Sequence, residues 1–185
     1  MNFDSVIKSR RSVRKFKSTE PDWRDIIEAI DAARFAPMAG GNYTPKFILV
    51  SNKEKIEKIA ETTQQPFVGT VHYLVVICSN PERTINLYQK SGHAYVRQQV
   101  GAAIQNFLLK LTDKGLATCW IGHFVEPTVK NILKIPDKIQ VEAIFPIGYE
   151  YQKPTIKKPK VDIDSILYFD EYKNKKKSPI KKIAA

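Results

Sequence analysis

Apolar residues recur along this chain in two rhythms, one helical and one of short unbroken runs. Phe3, Val6 and Ile7 give a short apolar face with Asp4 and Ser5 in its first turn, predicting a helix that leads into the basic stretch SRRSVRKF. Pro21 and Asp22 open a second helix, in which Ile26, Ile27, Ile30 and Ala33 recur at helical spacing, and Pro37 ends it. A loop, APMAGGNYTP, follows. KFILVS then reads as a buried strand, KEKIEKIAETT as an amphipathic helix and HYLVVICS as a second buried strand.

Residues 93–114 predict the longest helix. Val96, Val100, Ala103, Ile104, Phe107, Leu108 and Leu111 fall on one stripe, Gly115 is placed as its stop, and Gly101 to Ala103 leave a section thin enough for another helix to approach. LATCWIG reads as a third strand, and Pro127 begins a short helix, PTVKNILKI. IQVEAIFPIGY alternates, with Ile139, Val141, Ala143, Phe145 and Ile147 on one face, so it predicts a fourth strand. Strands interleaved with helices, without an internal repeat or a long low-complexity linker, argue for one helix-covered sheet of α+β or α/β class.

At 185 residues the chain suits one domain, and a chain of this size buries roughly 70% of its unfolded surface. Its net charge of +11 invites a nucleic-acid reading. The distribution argues against it: residues 151–185 hold ten lysines against four acids, so much of the excess belongs to the tail KNKKKSPIKK, which reads as a solvated terminus. Cys78 and Cys119 both sit in apolar runs and read as buried, reduced thiols. With no run of 18 apolar residues and no apolar core near the N-terminus, the expectation is a cytoplasmic protein with no membrane partner.

Catalytic signatures are scarce. There is no glycine-rich phosphate loop or dinucleotide fingerprint, and no serine in a nucleophile-elbow context. His72, His93 and His123 lie far apart without metal-ligand spacing, so no metal site is expected. Zinc-finger and RNA-binding aromatic motifs are also missing. An enzyme of this composition would take its hard chemistry from a cofactor.

Three separated segments carry a resemblance: IKSRRSVRKF, AARFAPMAGGNYTPKFILV and GLATCWIG, extended by PIGY and by KKPK near the end. In that order and spacing they resemble the FMN-dependent nitroreductase family over residues 3 to about 172, with 173–185 left as a basic tail. The resemblance implies an α+β fold with a mostly antiparallel sheet flanked by helices, assembled as an intertwined homodimer. It further implies two non-covalent FMN sites, each built from both subunits. Electrons would pass from NAD(P)H through the flavin to a nitroaromatic, quinone or related small-molecule acceptor, with no catalytic side chain. The rival readings are a basic nucleic-acid-binding protein and a specialised flavin-modifying or dehalogenating relative on the same fold.

On this pattern Arg10 and Ser12 hold the FMN phosphate, Arg11 adds backbone or charge, and Arg14 lies towards the ring's N1/O2 edge. A guanidinium fork and a hydroxyl suit phosphate oxygens. Lys158 and Lys160 resemble the second half of the clamp, with lysine at 160 where the family has arginine. In the loop, Met38 stands in place of a serine and Thr44 in place of a glutamine. Ala39 and Asn42 remain available to reach the other subunit's flavin. Gln64 would face the pyrimidine edge, since an amide both donates and accepts. Trp120, Ile121 and Gly122 would run along the isoalloxazine near N5, where glycine permits close approach.

Overall fold

YLVVICS forms strand β2 (Tyr73–Ser79), and every residue in it is buried. A strand apolar on both faces needs cover on both. In the computed structural model, which describes residues 2–152 and 161–177, β2 lies between β1 (Pro45–Val50) and β4 (Gln140–Gly148). The two-residue strand β3 (Ala117–Thr118) pairs with the end of β4. The sheet order is β1-β2-β4-β3 and all its ladders are antiparallel.

On one face, Tyr73, Val75, Ile77, Phe145 and Ile147 pack against helices α2 (Trp23–Ala33) and α5 (Gly92–Asp113). The predicted stripe of α5 from Val96 to Leu111 is buried throughout. Phe107 is its centre, with the ring of Phe145 5.6 Å away, near perpendicular, and that of Phe47 at 6.1 Å. On the other face, Leu74, Val76, Cys78 and Ile144 join Ile56 and Ile59 of α3 (Lys53–Thr63) and Val129 of α6 (Glu126–Leu133). Each such fully buried side chain contributes about 1.5–3 kcal/mol of transfer free energy. Both cysteines are buried free thiols.

Helix α5 ends where glycine was expected to end it. Gly115 takes φ +74, its N–H donates to the Thr112 carbonyl at 3.0 Å, and the Leu116 N–H donates to Leu111 at 2.9 Å. This is the left-handed closure that glycine adopts without steric cost. At the thin section, a Cβ on Gly101 would meet nothing of its own chain within 4 Å.

Two strands differ from expectation. The LATCWIG run pairs as a strand at Ala117 and Thr118 and again, in the same register along β4, at an isolated bridge between Ile121 and Ile144; the gap between them falls opposite Pro146, which has no N–H to donate. In β4 the single-face alternation breaks at a bulge. The register steps from Ile77↔Ala143 to Cys78↔Val141, leaving Glu142 as the extra residue. Its carboxylate accepts from the Ser79 hydroxyl at 2.5 Å, and Val141 and Ile139 consequently join the opposite core from Ala143. Helix α1 (Phe3–Ser9) precedes the basic stretch, and an unforeseen short helix, α4 (Glu82–Tyr88), follows β2.

The chain divides into two compact units, Met1–Gln152 and Lys153–Ala185. In the second, a short helix α7 (Ile163–Ile166) is capped by Asp162, whose Oδ1 accepts from the Asp164 N–H at 3.1 Å. Lys175 donates to the carbonyls of Asp164 and Leu167 and lies 4.0 Å from the Tyr168 ring centroid. Among the described residues no helix is long and apolar enough to cross a membrane.

Candidate functional site

The basic stretch is an extended arm laid along the sheet. Arg10 closes α1, its N–H donating to Val6 at 3.0 Å, and Ser12 then bridges Thr118 of β3 in parallel. The Val13 N–H donates to Thr118 at 2.9 Å, the Lys17 N–H to Tyr149 at 2.8 Å, and the Tyr151 N–H to Lys15 at 3.0 Å. Successive side chains of an extended segment point to opposite sides. Arg10, Ser12 and Arg14 therefore share one side, while Val13 is buried on the other.

The alternation separates the arginines. Arg11 is committed to Glu150: Nε donates to Oε1 at 2.8 Å, and a second guanidinium nitrogen donates to Oε2. Arg10, Ser12 and Arg14 have no such partner among the described side chains. Beside them the buried Thr118 hydroxyl finds no hydrogen-bond partner either. Two guanidinium groups and a hydroxyl thus lie on one side of the arm, next to the strand that carries the buried Thr118 hydroxyl, a donor set suited to a phosphate dianion. The residues at this corner fit the mononucleotide expected from sequence.

From Thr118 the chain runs past the other expected contacts. Trp120 is 44% exposed, one edge of its ring set against Phe145 at 5.6 Å. Ile121 is buried, and its N–H and carbonyl exchange two 3.0 Å bonds with Ile144, so it anchors this segment through its backbone. Gly122 is exposed, with open space where a Cβ would stand. The Val125 N–H donates to the Thr62 carbonyl at 3.1 Å, tying this segment to the end of α3. Two residues beyond Thr62, Gln64 caps α3 in the left-handed region at φ +56 and lines a cavity of about 480 Å³ with Glu57, Glu61, Gln65, Pro66 and Gly69. Lys158 and Lys160 lie outside the described residues.

The Met38–Asn42 loop sits elsewhere. Its Asn42 amide donates to Thr84 of α4 at 2.7 Å, and Gly40, at φ +58, lies under the Tyr88 hydroxyl. The Ala39 N–H donates to Gln99 Oε1 at 3.0 Å, and Gln99 Nε2 donates to the Thr44 hydroxyl at 2.6 Å. Met38 packs against the α5 face of the core. Thr44 is 1% exposed, so the residue in the family's glutamine position faces inward.

Register fixes how far this loop lies from the arm. Pro45 pairs with Ser79 and Ser79 with Gln140, whereas Thr118 pairs with Ile147. The loop therefore adjoins one corner of the sheet and the arm the diagonally opposite one. Three strand spacings of ~4.8 Å and seven residues of ~3.4 Å along β4 separate them by roughly 28 Å.

Gln99, Thr118, Glu150, Thr84 and Tyr88 escaped the sequence reading. Gln99 alone left a sequence signal, a polar residue within the apolar stripe of α5.

The chain matches the Nitroreductase family over residues 7–67 and 61–149, and it belongs to that family. A nitroreductase family protein from Clostridium novyi shares 32% identity at a TM-score of 0.75, over 94% of this chain and 96% of that one. A Methanothermobacter thermautotrophicus protein, provisionally named NADH dehydrogenase/NAD(P)H nitroreductase, is 30% identical over 161 residues, covering 83% of this chain and 80% of its own length. The structure of an FMN-dependent nitroreductase from Clostridium difficile aligns at 26% identity and a TM-score of 0.69, over 88% of this chain and 92% of its own.

Proposed function

We propose that this chain is an FMN-dependent oxidoreductase of the homodimeric, shared-site kind, moving electrons from NAD(P)H to a nitroaromatic, quinone or related acceptor. The observation that carries this is that Arg10, Ser12 and Arg14, without side-chain partners among the described residues, share one side of the arm where it bridges Thr118 at one sheet corner. Arg10 and Ser12 would hold the phosphate. Arg14 would keep positive charge near the N1/O2 edge, where negative charge grows on reduction. Gln64 would orient the pyrimidine edge, and Gly122 would let backbone groups approach N5 without a side chain intervening. Bound there, FMN would supply the hydride and electron transfer chemistry.

The Met38, Ala39 and Asn42 loop is roughly 28 Å from its own chain's arm by the spacing above, so it would serve the site of a second copy. Met38 offers no side-chain donor. The loop's contribution would come from its backbone and from the Asn42 side chain, which spends one of its two N–H donors on Thr84.

The test is a visible spectrum of purified protein, with the released chromophore identified by chromatography. FMN at one per chain, and oxidation of NADH or NADPH coupled to a nitro compound or quinone, is the expected result. A protein that stays colourless in excess FMN, and instead shifts nucleic-acid probes in a salt-dependent way, would overturn it. FMN binding with turnover confined to a halogenated aromatic would retain the cofactor and change the acceptor.

A further inference from the structure

The loop that would serve the second copy is held by one side chain. Gln99 is 4% exposed on α5, within the apolar stripe between Val96 and Ala103. An unsatisfied amide there would cost about 1–3 kcal/mol. Its orientation follows from chemistry: the Ala39 N–H can only donate, so Oε1 must face it, leaving the amino group for the Thr44 hydroxyl. One planar amide thereby fixes both ends of the segment containing Gly40 and Gly41, at φ +58 and +66. Left-handed glycines hold no conformation by themselves, having the widest choice of backbone angles. Thr44 in turn accepts from the Asn80 N–H through its carbonyl at 3.1 Å, tying this end of the loop to the end of β2.

We propose that Gln99 is a positioning residue for flavin binding, holding the 38–44 loop in the one conformation that can meet the cofactor of the partner subunit. This rests on the shared-site reading above. It also gives a physical account of Thr44: a hydroxyl at this place complements a glutamine reaching up from α5, so the loop is fastened from below.

The test uses full-length protein and FMN titration followed by fluorescence quenching. Gln99→Leu keeps the volume and removes both bonds; FMN affinity should weaken about tenfold. Gln99→Glu, whose carboxylate can accept from both the Ala39 N–H and the Thr44 hydroxyl, should recover part of it. If Gln99→Leu does not fold, Gln99→Leu/Thr44→Val leaves no orphaned hydroxyl and serves instead, with the same expected loss. A purely structural role is separated by mixed dimers, prepared with two affinity tags, of an Arg10→Ala chain with a Gln99→Leu chain. If the loop acts on the partner's site, one site collects both lesions and the other is intact. The mixed dimer should then bind one FMN per two chains at wild-type affinity, while neither variant homodimer binds at that concentration. Wild-type affinity in Gln99→Leu, or no recovery in the mixed dimer, overturns the inference. Failure of the unmodified protein to bind FMN would instead overturn the function on which it rests.

Discussion

Arg10 and Arg11 are sequence neighbours with the same charge, yet they should fail in different ways. Arg11 forms a two-pronged pair with Glu150, the two side chains 28% and 22% exposed, and so rivets the arm to the chain leaving β4. Arg11→Met keeps the aliphatic stem, removes the fork and leaves Glu150 unpaired. Exposed pairs couple by ~0.2–1 kcal/mol and breaking buried ones costs 3–5, so this half-buried case should cost about 1–2 kcal/mol. For a protein of this size that lowers Tm by roughly 2–8 °C. Arg10→Ala should leave Tm nearly unchanged and remove a charge-assisted phosphate contact of about 1.5–3 kcal/mol, weakening FMN binding between about ten- and a hundredfold. The assay is paired: thermal unfolding of FMN-free protein, because bound ligand itself raises Tm, and FMN titration of each variant. Arg11→Met/Glu150→Gln should regain part of the lost Tm and none of the affinity lost in Arg10→Ala. Equal losses of affinity at unchanged Tm in both single variants would refute the division of labour, leaving general positive charge as what holds the cofactor.

Gln64→Gly should weaken FMN binding while holding or raising Tm, because glycine relieves a left-handed position at φ +56 that costs other residues on the order of 1 kcal/mol; a fall in Tm with unchanged affinity would make Gln64 a structural cap only. The Tyr73 hydroxyl donates to Glu20 at 2.6 Å, and this bond, with burial, pushes the phenol up to about 12 from an ordinary value of 10.0. Between those values the folded chain keeps a proton that the unfolded chain has lost, so this contribution is whole below pH 10 and drains away towards pH 12. Denaturant titrations should show that decline flattened in Tyr73→Phe, and an unchanged slope would assign it to other groups. Burial pushes the Cys78 thiol up to about 11; at pH 8 iodoacetamide should label it only after unfolding, and fast labelling of native protein would contradict its place in the core.

What the sequence discloses here is periodicity, and it discloses it where one face of an element meets one environment. The stripe from Val96 to Leu111 and the run from Tyr73 to Ser79 are of that kind. The bulge at Glu142 is invisible because alternation continues across it in the letters while the faces exchange in space. LATCWIG reads as one strand because its side chains are mostly buried, but burial does not show where the ladder breaks: Ala117, Thr118 and Ile121 pair with β4, and the gap lies opposite Pro146. Helix α4 lies in a polar stretch without a repeating apolar interval, its place set by Thr84 and Tyr88 gripping the loop. The Arg11–Glu150 pair joins residues 139 positions apart. Within SRRSVRKF, the cation that pairs inside the chain and the cations left free have the same letter.

A site shared between two sheet corners of two copies would tie cofactor retention to assembly. If the arm of one copy and the loop of another enclose the same flavin, each bound FMN adds contacts across the interface, and mass action makes FMN stabilise the dimer and the dimer retain FMN. Dilution should then release flavin along with subunits, and added FMN should shift the dissociation to lower protein concentration. The open space at Gly101, and a groove in which Phe3, Val6, Phe35 and Leu109 alternate with Glu28, Asp31, Lys110 and Asp113, involve α1, α2 and α5. Gly101→Glu should loosen flavin binding without touching a residue of the site. Sedimentation followed at the flavin absorbance measures both quantities together. A monomer sedimenting with one FMN and full turnover would break the link, because a single chain would then have to close roughly 28 Å between its own arm and its own loop.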